Sequence, residues 1–430
     1  MLKIGHTVTV PNSLKGSATD SDSDVIPIPE ELETVPGHPE DPETVNYYTR
    51  NYPLESENLI NYAWISWSIK NGDMNEAFHD HLRRDRPIVV AARASGDVEP
   101  TAEPVPGKDL TLEIKQKALE LGFAMVGISA YDNRYTFKHK RSWVKPHPNA
   151  ICLAVEQPYE ETQMIPSETS EVAVLATYRR GGAQALKLAE YINTLGYHAQ
   201  VHNFTDAAAA IIPMFVAAGM GQQGAMGYLL SPHFGSRHRL TLVTTDAPVT
   251  HDQPVDYGIN AFCEICQVCV NRCPGRALMR DKVWWRGVEK HKIVAKRCRP
   301  VMSRYTQCAI CMKVCPVQRY GLKTVMDHYS NTGQVLGKGT HDLEGYELKG
   351  LGYFGPGELP RFDTDFFTVP TGTAEGSLLD ELKDKIQSGM VPEGPEGDAI
   401  FREFRQNIEA AVKGGGDAME SEWYSLESGE

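Results

Sequence analysis

The stretch Phe262-Cys-Glu-Ile-Cys-Gln-Val-Cys-Val-Asn-Arg-Cys-Pro274 carries four cysteines in the spacing Cys-x2-Cys-x2-Cys-x3-Cys-Pro. A second group follows, in which Cys298 precedes the run Cys308-x2-Cys311-x3-Cys315-Pro316. Thiolates at these spacings are typical ligands of iron–sulfur clusters, and the fourth cysteine of such a run ligates the other cluster. We therefore predict two [4Fe–4S] clusters, one on Cys263, Cys266, Cys269 and Cys315, the other on Cys273, Cys298, Cys308 and Cys311.

Zinc ions or disulfide bonds would be the alternative use of these thiols. Zinc sites favour paired Cys-x2-Cys units, and disulfides need an oxidising compartment. The triple run that ends in Cys-Pro favours iron–sulfur clusters instead. The ninth cysteine, Cys152, lies in the apolar run 151–155, so we expect a small buried core side chain rather than a reactive thiol.

The bulk composition limits the classes of protein that come into question. The chain has 430 residues, 41% of them hydrophobic, and a formal net charge of −13. This length suits two to three domains, and the negative charge argues against non-specific binding to nucleic acid. No apolar run approaches the roughly 18 residues of a membrane helix, and the N-terminus lacks the pattern of a signal peptide. We therefore expect a cytoplasmic protein with no membrane span and no nucleic-acid partner.

Helical and strand patterns alternate from about residue 109, which predicts the α/β class. The expected order is a helix at 111–121, strands at 123–129 and 150–155, a helix at 183–195, a strand at 198–202, a helix capped by Thr205 or Asp206 that runs to Ala218, a glycine-rich turn at 219–227 and a hairpin-like stretch at 228–245.

Four segments follow from this pattern and from the cysteines. We predict an N-terminal arm and extension at 1–108, in which 16–45 is an extended or mobile arm because it is rich in Pro, Ser, Asp and Glu. An α/β core at 109–250 precedes a two-cluster domain at 251–330. Residues 331–430 form a C-terminal extension that completes the pocket and ends in a mobile acidic tail.

Several motifs, taken together, resemble the cobalamin-dependent reductive dehalogenases. They are the run Gly219-x-Gly-x-x-Gly-x-x-Gly227, the segment Leu229-Leu-Ser-Pro-His-Phe-Gly-Ser236 and the cysteine runs that follow. The segment Gly339–Tyr346 is similar to the cytoplasmic, catabolic branch, and the resemblance covers about 110–360. It implies a nitroreductase-like α/β sandwich that binds cobalamin, followed by a bacterial-ferredoxin-like two-cluster domain. No Asp-x-His-x-x-Gly motif occurs, which agrees with a base-off corrinoid.

The resemblance also assigns residues to roles. In that family a tyrosine donates the proton, and the family register places it at Tyr178. The register places its basic partner at Arg237, with Arg239 as the competitor because it lies two residues further on the same expected strand face. Arg179 and Arg180, directly after the tyrosine, are further cations. The resemblance suggests cofactor contacts at Asn203, one residue out of register, and at Gly221, Gly224, Gly227, Ser231 and His233.

These residue types fit the chemistry that the resemblance implies. Replacement of a halogen by hydrogen needs two electrons and one proton. An unperturbed tyrosine has a pKa of about 10, so it stays protonated and can donate, and a guanidinium favours the phenolate that remains. The implied function is reductive dehalogenation of an organohalide, with an aromatic substrate favoured. The electrons would come from a separate low-potential donor of the ferredoxin or flavodoxin type.

Three alternatives stay open. An epoxyqueuosine reductase resembles this chain in its cofactors but acts on tRNA, and it would need an aspartate soon after Tyr178, where 181–189 has none. A non-catalytic corrinoid or electron-transfer protein would hold the same cofactors without a proton donor. Cobalamin chemistry on a substrate without halogen would leave the same motifs.

Overall fold

The computed structural model describes residues 75–136, 143–204, 208–285, 288–293 and 295–363, together with short stretches outside these ranges. The expected arm at 16–45 lies outside the described residues, apart from Val25–Ile26, which pairs with Leu2–Lys3. The expected acidic tail also lies outside them. None of the described helices is long and apolar enough to cross a membrane.

A five-stranded antiparallel sheet forms the centre of the α/β part. Its strands lie in the order Thr7–Val8, Met125–Ala130, Asn149–Glu156, His238–Thr245 and Ala199–His202. The register pairs Ile151 with Val243, and Val155 with Arg239 near the end of the central strand. This pairing brings residues from distant parts of the chain to one end of the sheet. Helices pack on both faces of this sheet, as the α/β class predicts.

Alternating side chains of the central strand Asn149–Glu156 fill two cores, one on each face of the sheet. Ile151, Leu153 and Val155 belong to the core under three helices, Asn75–Ser95, Thr111–Glu120 and Glu168–Thr194. Ala150, Cys152 and Ala154 belong to the core that includes the short helix Ile212–Ala217. Cys152 is fully buried, as predicted, and burial raises the pKa of its thiol.

The helix expected at 183–195 is much longer and spans Glu168–Thr194. It begins after a capping box, in which the Ser170 N–H donates to Ser167 Oγ (3.1 Å) and the Ser167 N–H donates to Ser170 Oγ (3.2 Å). The sequence pattern missed this start because Gly181 and Gly182 weaken the helical pattern in the middle. Tyr178 therefore lies within a helix, ten residues after its first residue.

The hairpin expected at 228–245 is wrong. Leu229–Leu230 pairs with Gln222–Gln223, whereas His238–Thr245 pairs with Asn149–Glu156 and with Ala199–His202. A tight turn at 231–235, closed by reciprocal backbone hydrogen bonds between Ser231 and Gly235, separates the two strands. The neighbouring helix is also shorter than expected, at Ile212–Ala217, and its expected caps Thr205 and Asp206 lie outside the described residues.

The cysteine region folds from short helices around an antiparallel hairpin. The elements are helices Ile259–Cys266, Val268–Arg272, Ala295–Arg304, Ile310–Lys313 and Pro316–Tyr320, and strands Leu278–Trp285 and Val288–Ile293. The described residues that follow form helices Leu322–Thr332 and His341–Glu344 and strands Tyr346–Leu348 and Gly352–Phe354.

The C-terminal elements pack directly on the cysteine region. Leu343, Tyr346 and Leu348 share one apolar core with the cysteine helices. The buried Arg272 ties the two together, because it donates to the carbonyl oxygens of Glu344 and Phe354, each at 3.1 Å. This packing joins the C-terminal elements to the cysteine region. The four-segment division of the chain stays a prediction.

Candidate active site

The eight clustered cysteines form two groups in space. The thiol of Cys315 interacts with those of Cys263 and Cys266, although it is about fifty residues away in the sequence. The thiol of Cys311 interacts with those of Cys308, Cys273 and Cys298. The last cysteine of each run thus lies with the other group, as crossed ligation requires. Cluster ligation itself stays a prediction.

A small, partly open cavity lies at the first group. Four thiols line it, and the rest of its wall is largely apolar, with Met226 and Leu230 on the side of the glycine-rich segment. Four sulfur ligands that converge on one apolar space fit a [4Fe–4S] cluster, whose potential depends on solvent exclusion. The lining cysteines are Cys263, Cys266, Cys269 and Cys315.

Matched backbone turns present amides to sulfur in both groups. The N–H of Val268 donates to Cys266, and the N–H of Ile310 donates to Cys308. Between each cysteine and its donor stands a left-handed residue, Gln267 with φ 52° or Ala309 with φ 56°. Such a conformation costs a non-glycine residue about 1 kcal/mol, and hydrogen bonds to sulfur offset this cost and tune a bound cluster.

The environment of the thiols holds them in the neutral form when no metal is bound. Burial raises the pKa of Cys263 to about 11 and that of Cys266 to about 12, and the backbone donors oppose this shift. None of the nine cysteines forms a disulfide bond. Among the described residues, no three His, Cys, Asp or Glu side chains are arranged to hold a single metal ion.

Tyr178 lies against the end of the strand His238–Thr245. Its ring stacks on Phe204, with ring centroids 3.6 Å apart and an interplanar angle of 11°. The guanidinium carbon of Arg239 lies 5.2 Å from the Tyr178 ring centroid. Burial raises the pKa of Tyr178, and the positive charge of Arg239 opposes this shift. The hydroxyl is therefore protonated at neutral pH, and Arg239 is placed to stabilise the phenolate.

Arg237, the partner expected first, occupies a different place. It is fully buried, forms an ion pair with Glu156 and donates from Nη1 to Gln157 O at 2.9 Å. Its guanidinium carbon lies 5.1 Å from the ring centroid of Tyr159. The reason is local. The Arg237 N–H donates to Phe234 O and so closes a turn, which lies before the strand that begins at His238. The alternation that placed both arginines on one strand face therefore does not apply, and Arg239 is the arginine beside Tyr178.

The three glycines expected to contact a cofactor are required by close packing within the protein. A Cβ at Gly221 would lie 2.2 Å from Leu230 O, and one at Gly227, which has φ 80°, would lie 2.9 Å from Ile293 Cδ1. A Cβ at Gly224 would lie 2.6 Å from Leu230 Cδ1 and 3.7 Å from Cys263 Sγ. These glycines let the segment approach the first cysteine group. Their contact with a cofactor stays a prediction.

Asn203, Ser231 and His233 are all buried. Asn203 follows the strand Ala199–His202, and its Nδ2 donates to Asp85 Oδ2 at 3.3 Å. Ser231 Oγ accepts from the Phe234 N–H at 3.0 Å and so holds the turn that leads to the strand. Burial lowers the pKa of His233 to about 4, so its ring is neutral at neutral pH.

Buried polar atoms in the segment 236–239 lack partners among the described residues. They include Ser236 Oγ, Nε and Nη2 of Arg237, and Nε of Arg239. Buried polar groups are nearly always hydrogen-bonded, so unsatisfied ones mark a place where a polar ligand or water binds. This set fits the amide-bearing periphery of a corrinoid.

Three residues of this site were missed by the sequence interpretation: Glu171, Phe204 and Tyr228. Tyr228 connects the two parts of the site, because the charges of Cys298, Cys311, Arg239 and Tyr178 all act on its hydroxyl. The thiols whose charges act on Tyr228 both belong to the second cysteine group. Glu171 stands seven residues before Tyr178, a spacing that becomes informative only once the helix is known to start at Glu168.

Comparison with known sequences relates this site to two kinds of enzyme. No family model matches the chain. The tetrachloroethene reductive dehalogenase of Desulfitobacterium hafniense is 34% identical over 135 residues, which cover 31% of this chain and 24% of that protein. The enzyme of the same name from Sulfurospirillum multivorans is 28% identical over 39% of this chain and 35% of that protein. The epoxyqueuosine reductase of Escherichia coli is 25% identical over 53% of this chain and 70% of its own.

Solved structures give the same two names. A reductive dehalogenase whose structure suggests a mechanism for B12-dependent dehalogenation has a TM-score of 0.49, with 25% identity over 57% of this chain and 38% of its own. An epoxyqueuosine reductase bound to a tRNA stem loop has a TM-score of 0.36, with 16% identity over 48% of this chain and 65% of that protein. The chain spans about a quarter to a third of the curated dehalogenases cited above. It is a relative of the reductive dehalogenases, with the epoxyqueuosine reductases as further relatives.

Proposed function

We propose that the protein is a reductive dehalogenase that replaces a halogen of an organohalide by hydrogen. The observation that carries this proposal is the position of Arg239 over Tyr178, together with Tyr228, on which the charges of Tyr178, Arg239, Cys298 and Cys311 all act. A proton donor and a source of electrons then serve one site. The dehalogenase relatives support the same class of reaction.

Two kinds of cofactor belong to this proposal. The two cysteine groups would each hold a [4Fe–4S] cluster, and the segment 236–239 with the glycine-rich segment would hold cobalamin in its base-off form. The bound corrinoid would supply the electrons for carbon–halogen cleavage, and the clusters would carry electrons to it from a separate donor of the ferredoxin or flavodoxin type. The finer fold, a nitroreductase-like sandwich followed by a ferredoxin-like domain in a cytoplasmic protein, belongs to the same proposal.

The residues of the chain supply the proton and the orientation. The Tyr178 hydroxyl donates its proton to the substrate carbon, and Arg239 stabilises the phenolate that remains. The overall change is R–X plus two electrons and one proton to R–H and X⁻. Phe204 stacks on Tyr178 and holds its ring in place. Because Phe204 is itself 47% exposed, its free surface suits an aromatic organohalide.

The change Tyr178→Phe tests the proposal, since it removes only the hydroxyl. After anaerobic reconstitution with corrinoid and iron, the wild-type protein should release halide from one or more members of a panel of halogenated phenols and alkenes. Tyr178→Phe should keep its corrinoid and lose at least about 100-fold in rate, the lower bound for general acid catalysis. The matched control is Tyr191→Phe on the same helix, whose hydroxyl donates to Glu113 at 2.8 Å. Near wild-type turnover by Tyr178→Phe with full corrinoid would contradict the assignment.

Epoxyqueuosine reduction is the second candidate function. One observation favours it: the match covers 70% of the Escherichia coli enzyme, more than of the dehalogenases. The net charge of −13 and the lack of aspartate in 181–189 argue against it. Incubation of the reduced protein with a tRNA stem loop that carries epoxyqueuosine separates the two. Formation of queuosine without halide release from the panel would replace the first proposal by the second.

A further inference from the structure

The segment 272–304 is strongly basic, although the chain as a whole is acidic. It contains eleven Lys or Arg and only two Asp or Glu, a formal net charge of +9, whereas the rest of the chain carries −22. The segment spans the turn after Cys273, the hairpin of strands Leu278–Trp285 and Val288–Ile293, and the helix Ala295–Arg304. A charge separation of this size steers an oppositely charged partner toward one part of a protein.

Two arginines of this segment are exposed and have only neutral partners among the described residues. Arg276 Nη1 donates to Pro360 O at 3.4 Å, and Arg280 Nη2 donates to Asn271 Oδ1 at 2.8 Å. Arg276 also adopts the left-handed backbone conformation, with φ 50°. This costs a non-glycine residue about 1 kcal/mol, so a position suited to glycine instead presents a positive charge to solvent.

The same segment holds two predicted ligands of the second cluster, Cys273 and Cys298. The Sγ atom of Cys273 accepts from the N–H of Ala277 at 3.2 Å, directly after the exposed arginine of this turn. The helix that carries Cys298 contacts the same turn, because Arg297 Nε donates to Gly275 O at 2.7 Å. A protein docked on the segment therefore lies beside the second cysteine group.

We propose that the segment 272–304 is the docking site of the electron donor, a small iron–sulfur or flavin protein with an acidic surface. The inference deepens the proposed function and rests on it, since it presumes clusters that a separate donor reduces. At each encounter the donor is oxidised by one electron and the second cluster is reduced by one, so two encounters supply one turnover. Such interfaces are small and transient, and complementary charge raises their rate of association.

A nucleic acid is the other polyanion that a basic segment could bind. The position of the segment favours the protein donor, because an electron donor must lie beside a cluster. An RNA substrate would instead have to reach Tyr178 and Arg239, and the negative charge of the rest of the chain opposes RNA contacts outside the segment. The same negative charge keeps an acidic donor away from every other surface and so orients it toward the segment.

Charge reversal at the two exposed arginines tests the docking site. Stopped-flow absorbance would follow the oxidation of a reduced acidic flavodoxin, or of a reduced acidic [2Fe–2S] ferredoxin, by the full reconstituted protein. At an ionic strength of about 0.01 M, the double change Arg276→Glu with Arg280→Glu should lower the second-order rate constant by about tenfold or more. At about 1 M salt, where screening is nearly complete, the rate constants of wild type and variant should converge. Equal rate constants at low salt would overturn the proposal.

The matched control is Lys187→Glu, which reverses one exposed positive charge on the helix Glu168–Thr194. It should keep the wild-type rate constant and its salt dependence. Every variant should keep its iron content and its rate of reduction by the methyl viologen radical, a small cation that needs no docking site. If Arg276→Glu loses iron because of its place beside Cys273, Arg280→Glu alone carries the test, with an expected fall of about threefold.

The remaining outcomes separate this inference from its rival and from the proposed function. If methyl viologen reduces the wild type but neither donor protein does, the proposal is overturned. Binding of a tRNA stem loop that the double change abolishes, with donor oxidation unchanged, would assign the segment to RNA and also overturn it. If the wild type accepts electrons in this salt-dependent way but releases no halide, the proposed function is refuted and the docking site stands.

Discussion

At the residue scale, Arg237 and Arg239 are only two positions apart in the sequence but have different surroundings. Arg239 lies over Tyr178, and its positive charge opposes the rise that burial causes in the pKa of Tyr178. Arg239→Gln removes this charge. We expect the rate of halide release to fall by at least about tenfold, with the pKa of Tyr178 raised further. Thermal melting should be nearly unchanged, which distinguishes a loss of chemistry from a loss of fold.

Arg237→Gln should act on stability instead. The change leaves the carboxylate of Glu156, only 15% exposed, without its buried cation. Breaking a buried pair from one side costs about 3 kcal/mol, so the free energy of unfolding in urea should fall by about that amount. Normal stability together with a greater loss of turnover than in Arg239→Gln would show that Arg237 is the functional partner after all.

At the element scale, the glycine-rich segment is predicted to tolerate almost no side chain at Gly221. The added Cβ of Gly221→Ala meets a backbone oxygen at 2.2 Å, which cannot move without shifting the strand Leu229–Leu230. We expect a loss of about 3 kcal/mol or more in unfolding free energy and a lower iron content, because this segment lines the cysteine cavity.

Gly339→Ala is the control for that change. Gly339 has φ 80° but no atom within 4 Å of an added Cβ, so the cost should be the backbone term of about 1 kcal/mol alone. If Gly221→Ala and Gly339→Ala lost equal amounts of unfolding free energy, close packing would not be the reason for glycine at position 221. Iron content should be unaffected by Gly339→Ala, as measured by metal analysis.

At the scale of the whole molecule, the crossed grouping of cysteines can be tested by iron content. The full protein should bind about eight iron atoms, and Cys315→Ala and Cys273→Ala should each keep about four. Electron-spin spectra should show that the two variants keep different clusters, and that Cys315→Ala resembles Cys263→Ala rather than Cys308→Ala. Cys152→Ala, in the sheet core, should keep all the iron. A shared spectrum for Cys315→Ala and Cys308→Ala would disprove the crossing.

The sequence by itself determined the two cysteine groups, the α/β class and the position of Tyr178 as a candidate, because spacing, periodicity and motif are local properties of the chain. Only the tertiary structure decided that Arg239 rather than Arg237 meets Tyr178, since this depends on where the turn before His238 ends. It also stacked Phe204 on that tyrosine and placed Tyr228 where the charges of Tyr178, Cys298 and Cys311 all act on its hydroxyl. Those interactions join residues 26 to 83 positions apart, and such pairings arise from sheet register and helix packing, which no local pattern encodes.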